Sequence, residues 1–448
     1  MKKLKITGII LLAATMGVLR GQEPDTGVRS LSLDEAVSFA LEHNLNVANA
    51  RLDVTAADKR VWEATASGLP QMDASFNYNN NLALATTLIP DFFNDPSEKI
   101  EVQFGTKHYA TAGLRANQII FSGQYIIGLQ TAKLYKEFMK KNRDLSEQQV
   151  KEAVIQGYYL VLLSESTLEA LRGNLQNIKT SYQETLELYN AGFVEETDAE
   201  QLEVTLADLE NSVLSMERQV VASRNLLKYQ MGMILEDEIE LTDDLDQMVG
   251  DLELQVLLDL QMEVEENIEY QLLKDQERLA EMDLKLKKTD YMPNLSAFFS
   301  LDFTAQRQEF NLFDSEEDWY KASAVGLSLN VPVFSSGLRM AAVAQKKIAY
   351  EQAVNNREFA SRGMKVDFMQ AQYDFANALE KYKREEKSLE LTKKVAERTR
   401  AKYEEGMASS LDLTQLNDQY LRTLTNYTSA MVDLLNAKLS LDRLLNKL

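Results

Sequence analysis

Two periodicities divide the chain. Long stretches carry apolar residues three and four apart, the spacing of one helix face, while shorter ones alternate apolar and polar residues, the spacing of a strand. Helical spacing runs over 32–66, 125–190 and 197–231, and again over 263–289, 338–404 and 410–447. A sevenfold ladder of Leu168, Leu175, Tyr182 and Tyr189 lies in the first set, and Phe375, Tyr382, Leu389, Ala396 and Tyr403 in the second, so each ladder occupies one helix face. At 1.5 Å per residue the long helices reach about 100 Å and the short ones about 50 Å, which lets two short helices lie end to end beside one long helix. Strand spacing is clearest where Leu295, Ala297, Phe299, Leu301 and Phe303 alternate with Ser296, Phe298, Ser300 and Asp302. It recurs where Val325, Leu327, Leu329, Val331 and Val333 alternate with Ala324, Gly326, Ser328 and Asn330. These patterns predict strands over 293–306 and 320–334, with weaker counterparts over 72–86 and 108–121.

The set of elements is written twice. An offset of 214 residues carries Gly123 onto Gly337, Tyr189 onto Tyr403, Gly192 onto Gly406, Asp198 onto Asp412 and Gln201 onto Gln415. Upstream, Glu42-His43-Asn44-Leu45 matches Glu265-Glu266-Asn267-Ile268, and Pro70 matches Pro293, with the offset enlarged by an insertion of about nine residues in the first copy. The copies span 22–232 and 263–448, and an acidic segment over 233–262 joins them. Each strand is long enough to cross a membrane when tilted. Four strands cannot close a barrel, and an open sheet edge in lipid has no water to satisfy its hydrogen bonds, so such a chain must oligomerise. Three copies supply twelve strands, an even number in the range of outer-membrane barrels. Two supply eight, too few for a wide pore, so the count favours three.

Composition sharpens this picture at four points. With 6 Pro and 18 Gly in 448 residues, few positions interrupt a long helix, and the glycines are expected at turns. A net charge of -21 argues against nucleic acid or an anionic lipid surface as partner. Zero cysteines exclude disulfides, thiolate catalysis, zinc–thiolate sites and a lipid-bearing Cys. Lys2, Lys3 and Lys5 precede an apolar run from Ile6 to Leu19, which reads as a secretory signal peptide over 1–21 with Gly21 before the cut, a retained N-terminal anchor being the alternative. His43 and His108 are the only histidines and neither sits in a motif, so no enzyme, cofactor or metal site is expected. The segment from Glu236 to Glu266 holds about a dozen acids, Asp243, Asp244, Asp246 and Asp251 among them. A solvated linker is the expectation there, with a cation site as the alternative.

Three strings stand at equivalent joints of this plan: Ser32-Leu33-Asp34-Glu35-Ala36 opening the first helix, Gly68-Leu69-Pro70-Gln71 before the first strand, and Pro332-Val333-Phe334-Ser335-Ser336-Gly337 after the fourth. With the duplicated order of strand pair, long helix and glycine turn, they resemble the TolC family of outer-membrane efflux proteins over nearly the whole mature chain. That resemblance implies a mostly α fold with a β-barrel part: a homotrimer with a twelve-stranded outer-membrane barrel continued by a periplasmic α-helical tunnel. It implies an exit duct of a tripartite efflux or type I secretion system, served by a periplasmic adaptor (membrane fusion protein) and an inner-membrane pump of RND, ABC or MFS type. The chain departs from the family in lacking the lipid-bearing Cys and, past Leu448, the C-terminal tail of some relatives. It also departs in its long loop over 88–106 with Pro90, Phe92, Phe93 and Pro96, expected either to fold over the outer mouth or to be solvated. A periplasmic adaptor would carry one hairpin and several β domains, and a coiled-coil scaffold would lack the alternating strands.

Three groups of site residues follow. The resemblance implies that the turns at Gly192-Phe193 and Gly406-Met407 are periplasmic tips that dock the adaptor, although an ordinary glycine helix stop fits the same letters. It also implies that Asp412 lines the periplasmic constriction, six residues past the tip glycine, with Gln415 and the first-copy residues Asp198 and Gln201 at related positions. The family's second ring acid is Gln415 here, so the ring carries half the charge. Asp412, Gln415, Gln419, Arg422 and Asn426 recur on one face opposite Leu413, Leu416, Tyr420, Leu424 and Tyr427, the pattern of a wet face and a packed stripe. Ser409 and Asp412 equally fit a capping box. Finally, Phe299, Leu301, Val325, Leu327 and Leu329 are expected to face lipid, with the interior of a soluble sandwich as the alternative.

Overall fold

The computed structural model describes residues 28–90, 97, 99–250, 261–312, 314 and 316–448. The signal peptide expected over 1–21 lies outside these, as do Phe92, Phe93, Pro96 and Asp251.

Eight helices and eight strands carry the described chain. The first copy opens with β1 (Arg29–Leu31) and α1 (Leu33–His43), the latter started by a capping box between Ser32 and Glu35, and continues into α2 (Leu45–Ala66). One helix was expected over 32–66; Asn44 breaks it. Its backbone is extended, its Oδ1 accepts from Asn46 N at 2.8 Å, and its Nδ2 donates to Gln230 O at 2.7 Å. Gln230 lies in the last turn of α4 (Glu196–Met231), so a single amide starts one short helix and ties it to the end of another. The second copy repeats the device. Asn267 caps α6 (Ile268–Lys288) through Glu269 N at 3.0 Å and donates to Leu444 O, the end of α8 (Ser410–Leu444), at 3.2 Å. Both asparagines are buried, and each bond gives a helix-end carbonyl a partner within the protein. In this way α2 and α4 form one rod along α3 (Gly123–Asn190), and α6 and α8 form another along α7 (Leu338–Glu404).

The main core sits where these rods are joined, around Tyr158, Val161, Leu227, Phe375, Leu434 and Leu441, all essentially without solvent exposure. The acidic joining segment adds to it, which corrects the expectation of a solvated linker for its described part. Strand β6 (Ile239–Leu241) pairs in parallel with β1, and α5 (Leu245–Gly250) buries Leu245 and Val249. Its acids act as caps and acceptors. Asp243 Oδ2 takes Leu33 N at 2.7 Å and Tyr158 Oη at 2.8 Å, Asp244 Oδ1 takes Asp246 N at 2.9 Å, and Asp246 Oδ1 takes Tyr427 Oη at 2.7 Å. Burial and the facing carboxylates push both tyrosine hydroxyls well above their ordinary range, so they remain donors.

The strands form an antiparallel sheet in the order β2 (Gln71–Asn80), β5 (His108–Ser122), β7 (Asn294–Arg307), β8 (Tyr320–Asn330). The strand expected over 72–86 stops at Asn80, because β3 (Thr86–Pro90) pairs with β4 (Lys99–Gln103) as a separate hairpin inside the expected loop. The strand expected over 320–334 stops at Asn330, two residues before Pro332, which has no N–H for a ladder. A bulge between Ile119 and Phe121 shifts the register of β5 by one residue. Without it Phe121 would face the polar side; with it Phe121 stands opposite Leu295.

Candidate functional site at the helical tips and on the strand face

Both long helices end in the same way. Gly192 and Gly406 adopt φ of +81° and +72°, and each turn closes by the paired bonds of a Schellman motif. In the first copy Phe193 N donates to Leu188 O and Gly192 N to Tyr189 O, both at 2.9 Å. In the second, Met407 N donates to Lys402 O at 2.7 Å and Gly406 N to Tyr403 O at 2.9 Å. The glycine stop thus exists in full, yet it leaves Phe193 78% and Met407 71% exposed, two large apolar side chains the turn does not use.

The helices leaving the tips begin differently. Ser409 and Asp412 make a complete capping box: Ser409 N and Oγ donate to Asp412 Oδ2 at 3.0 and 2.7 Å, and Asp412 N donates to Ser409 Oγ at 3.2 Å. Those donors hold the exposed Asp412 carboxyl below the usual carboxylate range. Glu195, at the matching place in the first copy, offers no side-chain cap. Asp198, matching Asp412, instead accepts from Ser410 Oγ of the other hairpin at 2.6 Å. A second link between the hairpins joins the hydroxyls of Thr185 and Tyr403, the latter pushed up by burial. The sequence did not disclose either link, since Tyr403 reads there as a ladder position and a repeat partner of Tyr189, and Ser410 only as the start of the helix predicted over 410–447. Asp412, Gln415, Gln419, Arg422 and Asn426 are all exposed, whereas Leu413 is buried and Leu416, Tyr420, Leu424 and Tyr427 are half-buried, so α8 is split as its spacing predicts. Gln201 is exposed on α4.

At the other end, register collects the apolar strand residues on one sheet face. Row by row, Met72, Ala116 and Phe299 stand beside Val325; Ala74, Leu114 and Leu301 stand beside Ser323; Leu327 faces Ala297 and Leu329 faces Leu295. Val325, Leu327 and Leu329 are 82%, 72% and 64% exposed, and among the described residues no second sheet or helix covers them. Of the histidines, His43 stacks on Phe39, and buried His108 shares a 2.8 Å hydrogen bond with Tyr78 Oη. Among the described residues no group of three or more His, Cys, Asp or Glu is placed to hold a metal ion, and no helix is long and apolar enough to cross a membrane.

A family model described as "Outer membrane efflux protein" matches residues 36–232 and 265–447, most of both copies. The chain belongs to the outer membrane efflux protein family. No curated protein matches this efflux protein in sequence. Solved structures share its fold. The outer membrane protein VceC of Vibrio cholerae superposes with a TM-score of 0.69 at 14% identity, over 92% of this chain and 95% of that one. The CmeC outer membrane channel of Campylobacter jejuni gives 0.72 at 16% identity, over 92% and 85%. The open MtrE outer membrane channel of Neisseria gonorrhoeae gives 0.70 at 16%, over 92% and 88%.

Proposed function

We propose that three copies of this efflux protein close a twelve-stranded barrel in the outer membrane, continued by a periplasmic helical tunnel. Through it, substrates delivered by an inner-membrane pump of RND, ABC or MFS type and its periplasmic adaptor pass to the exterior. One observation carries this reading: a four-stranded sheet with an exposed apolar face and two edges, β2 and β8, that no strand among the described residues pairs, set at the end of helices 68 and 67 residues long. Lipid covers the face of Phe299, Leu301, Val325, Leu327 and Leu329, and a neighbouring copy satisfies each edge. The exposed Phe193 and Met407 beside Gly192 and Gly406 dock the adaptor. Asp412 rings the constriction, with Gln415 beside it and Asp198 and Gln201 in supporting positions; its capping bonds and the ring charge coexist, because the box uses one carboxylate oxygen. The duct performs no chemical step on its cargo. Heat-resistant trimers from the detergent-solubilised outer membrane that conduct in planar bilayers are the expected result. A monomer that stays in the periplasm would overturn the proposal.

A further inference from the structure

We infer that Asp302 makes the strand-lined part of the duct cation-selective, separately from the helical tips. This rests on the trimeric barrel proposed above. The sheet face opposite the apolar one becomes the lumen, and register arranges it in rows. Ser75, Gly113, Asp302 and Ala322 form one row, Asp73, Arg115, Ser300 and Ala324 the next, and Asn77, Thr111, Thr304 and Tyr320 the row on the other side. Small residues flank Asp302 on its own row, and its carboxylate lies in the notch left by Gly113, where an added Cβ would meet Asp302 Oδ1 at 2.6 Å and Ser75 Oγ at 3.2 Å. Along the paired residues of this face the charges are Asp73, Arg115 and Asp302. Arg115 stands directly opposite Asp73, and opposite charges so placed offset one another. Whichever acid Arg115 lies nearer, each chain leaves one negative charge on the wall.

Barrel geometry decides when that charge is felt. Twelve strands about 4.8 Å apart and tilted about 40° have a backbone radius of about 12 Å, and inward side chains bring three equivalent carboxylates to about 14 Å from one another. That separation is well inside the screening length of about 30 Å at 10 mM salt and far outside the length of about 3 Å at 1 M. The wall therefore selects cations in dilute electrolyte and ceases to do so in concentrated electrolyte.

Reversal potentials of single channels under KCl gradients test this, with K⁺ and Cl⁻ as the probes. Asp302→Asn is expected to lower the K⁺/Cl⁻ permeability ratio about twofold near 10 mM and to leave it unchanged near 1 M. Ser75→Lys, which puts a cation beside the carboxylate without removing it, should give the same loss, and Ala322→Asp on the same row should raise the ratio. The measurements are repeated with Asn at 412 so that the tips do not mask the wall. Conducting trimers in which Asp302→Asn and Ser75→Lys both keep the unmodified ratio at low salt would overturn the inference while leaving the barrel standing. Absence of any channel from the unaltered chain would overturn the barrel reading and the inference together.

Discussion

Gly123 and Gly337 hold the same place in the two copies, yet different physics requires each. At Gly123 a Cβ would meet Met292 Sδ at 2.6 Å and Thr289 Cβ at 3.0 Å, so the residue is small because the second copy packs against it. At Gly337 an added Cβ would meet nothing within 4 Å, and it is the φ of +82° that disfavours a side chain. The tips diverge in the same way, with a self-sufficient cap at Ser409–Asp412 and, at the matching position, an Asp198 that bonds across to the other hairpin. At these two positions the plan is shared, but the second copy is held by its own backbone and cap while the first is held by contact with its twin.

The largest test of that asymmetry lies in the sheet. Arg at Leu327 should cost about 2–4 kcal/mol in each chain if the residue sits near the bilayer midplane, enough across three chains to abolish insertion, whereas Arg at exposed Leu88 on the separate hairpin should insert normally. Outer-membrane fractionation reads both. Next come the helix welds. Asn44→Ala and Asn267→Ala should each lose about 1–2 kcal/mol, because a cap goes and a helix-end carbonyl loses its partner, and denaturant midpoints of the trimer should fall alike. Unequal losses would mean that the copies differ here too. Smaller still, Ser409→Ala should cost about 1 kcal/mol, while Glu195→Ser, which completes a box in the first copy, should be neutral or stabilising.

The smallest effect on stability concerns the gate. Asp412→Asn should leave trimers intact and reduce cation selectivity, and Asp198→Asn should change selectivity less but loosen the contact between hairpins; single-channel recordings separate the two. The sign with pH follows from the depressed Asp412 carboxyl. A group ionised more readily when folded stabilises the fold above its unfolded value, near 3.9, and that contribution is lost as pH falls through the lower folded value. The tip contribution to cation selectivity should therefore persist to lower pH in the unaltered channel than in Ser409→Ala.

Helix faces, strand faces and tip glycines were legible because each is a one-dimensional periodicity or a single residue with one backbone use. Leu413 inward and Asp412 outward follow from spacing alone. The welds were not legible: Asn44 lies 186 residues from Gln230 and Asn267 177 from Leu444, and nothing local marks either partner. The Ser410–Asp198 link hid for the same reason, and β6 because three residues are too few to show alternation. The acids after it read as solvated charge since composition cannot tell an acceptor from an ion.

The bulge beside Ile120 has a consequence at the far end of the molecule. Strand β5 ends at Ser122 and α3 starts at Gly123, with no linker to absorb a change of phase. Each residue turns an α-helix by about 100°, so one residue more or fewer in the strand rotates the whole helix by that angle relative to the sheet. The bulge is thus a phase adjustment between two counting systems, two residues per repeat in the sheet and 3.6 in the helix. A regular ladder that paired Ile120 with Leu295 and Phe121 with Asn294 would leave every side chain of α3 intact while turning its packed stripe by about 100° relative to the sheet.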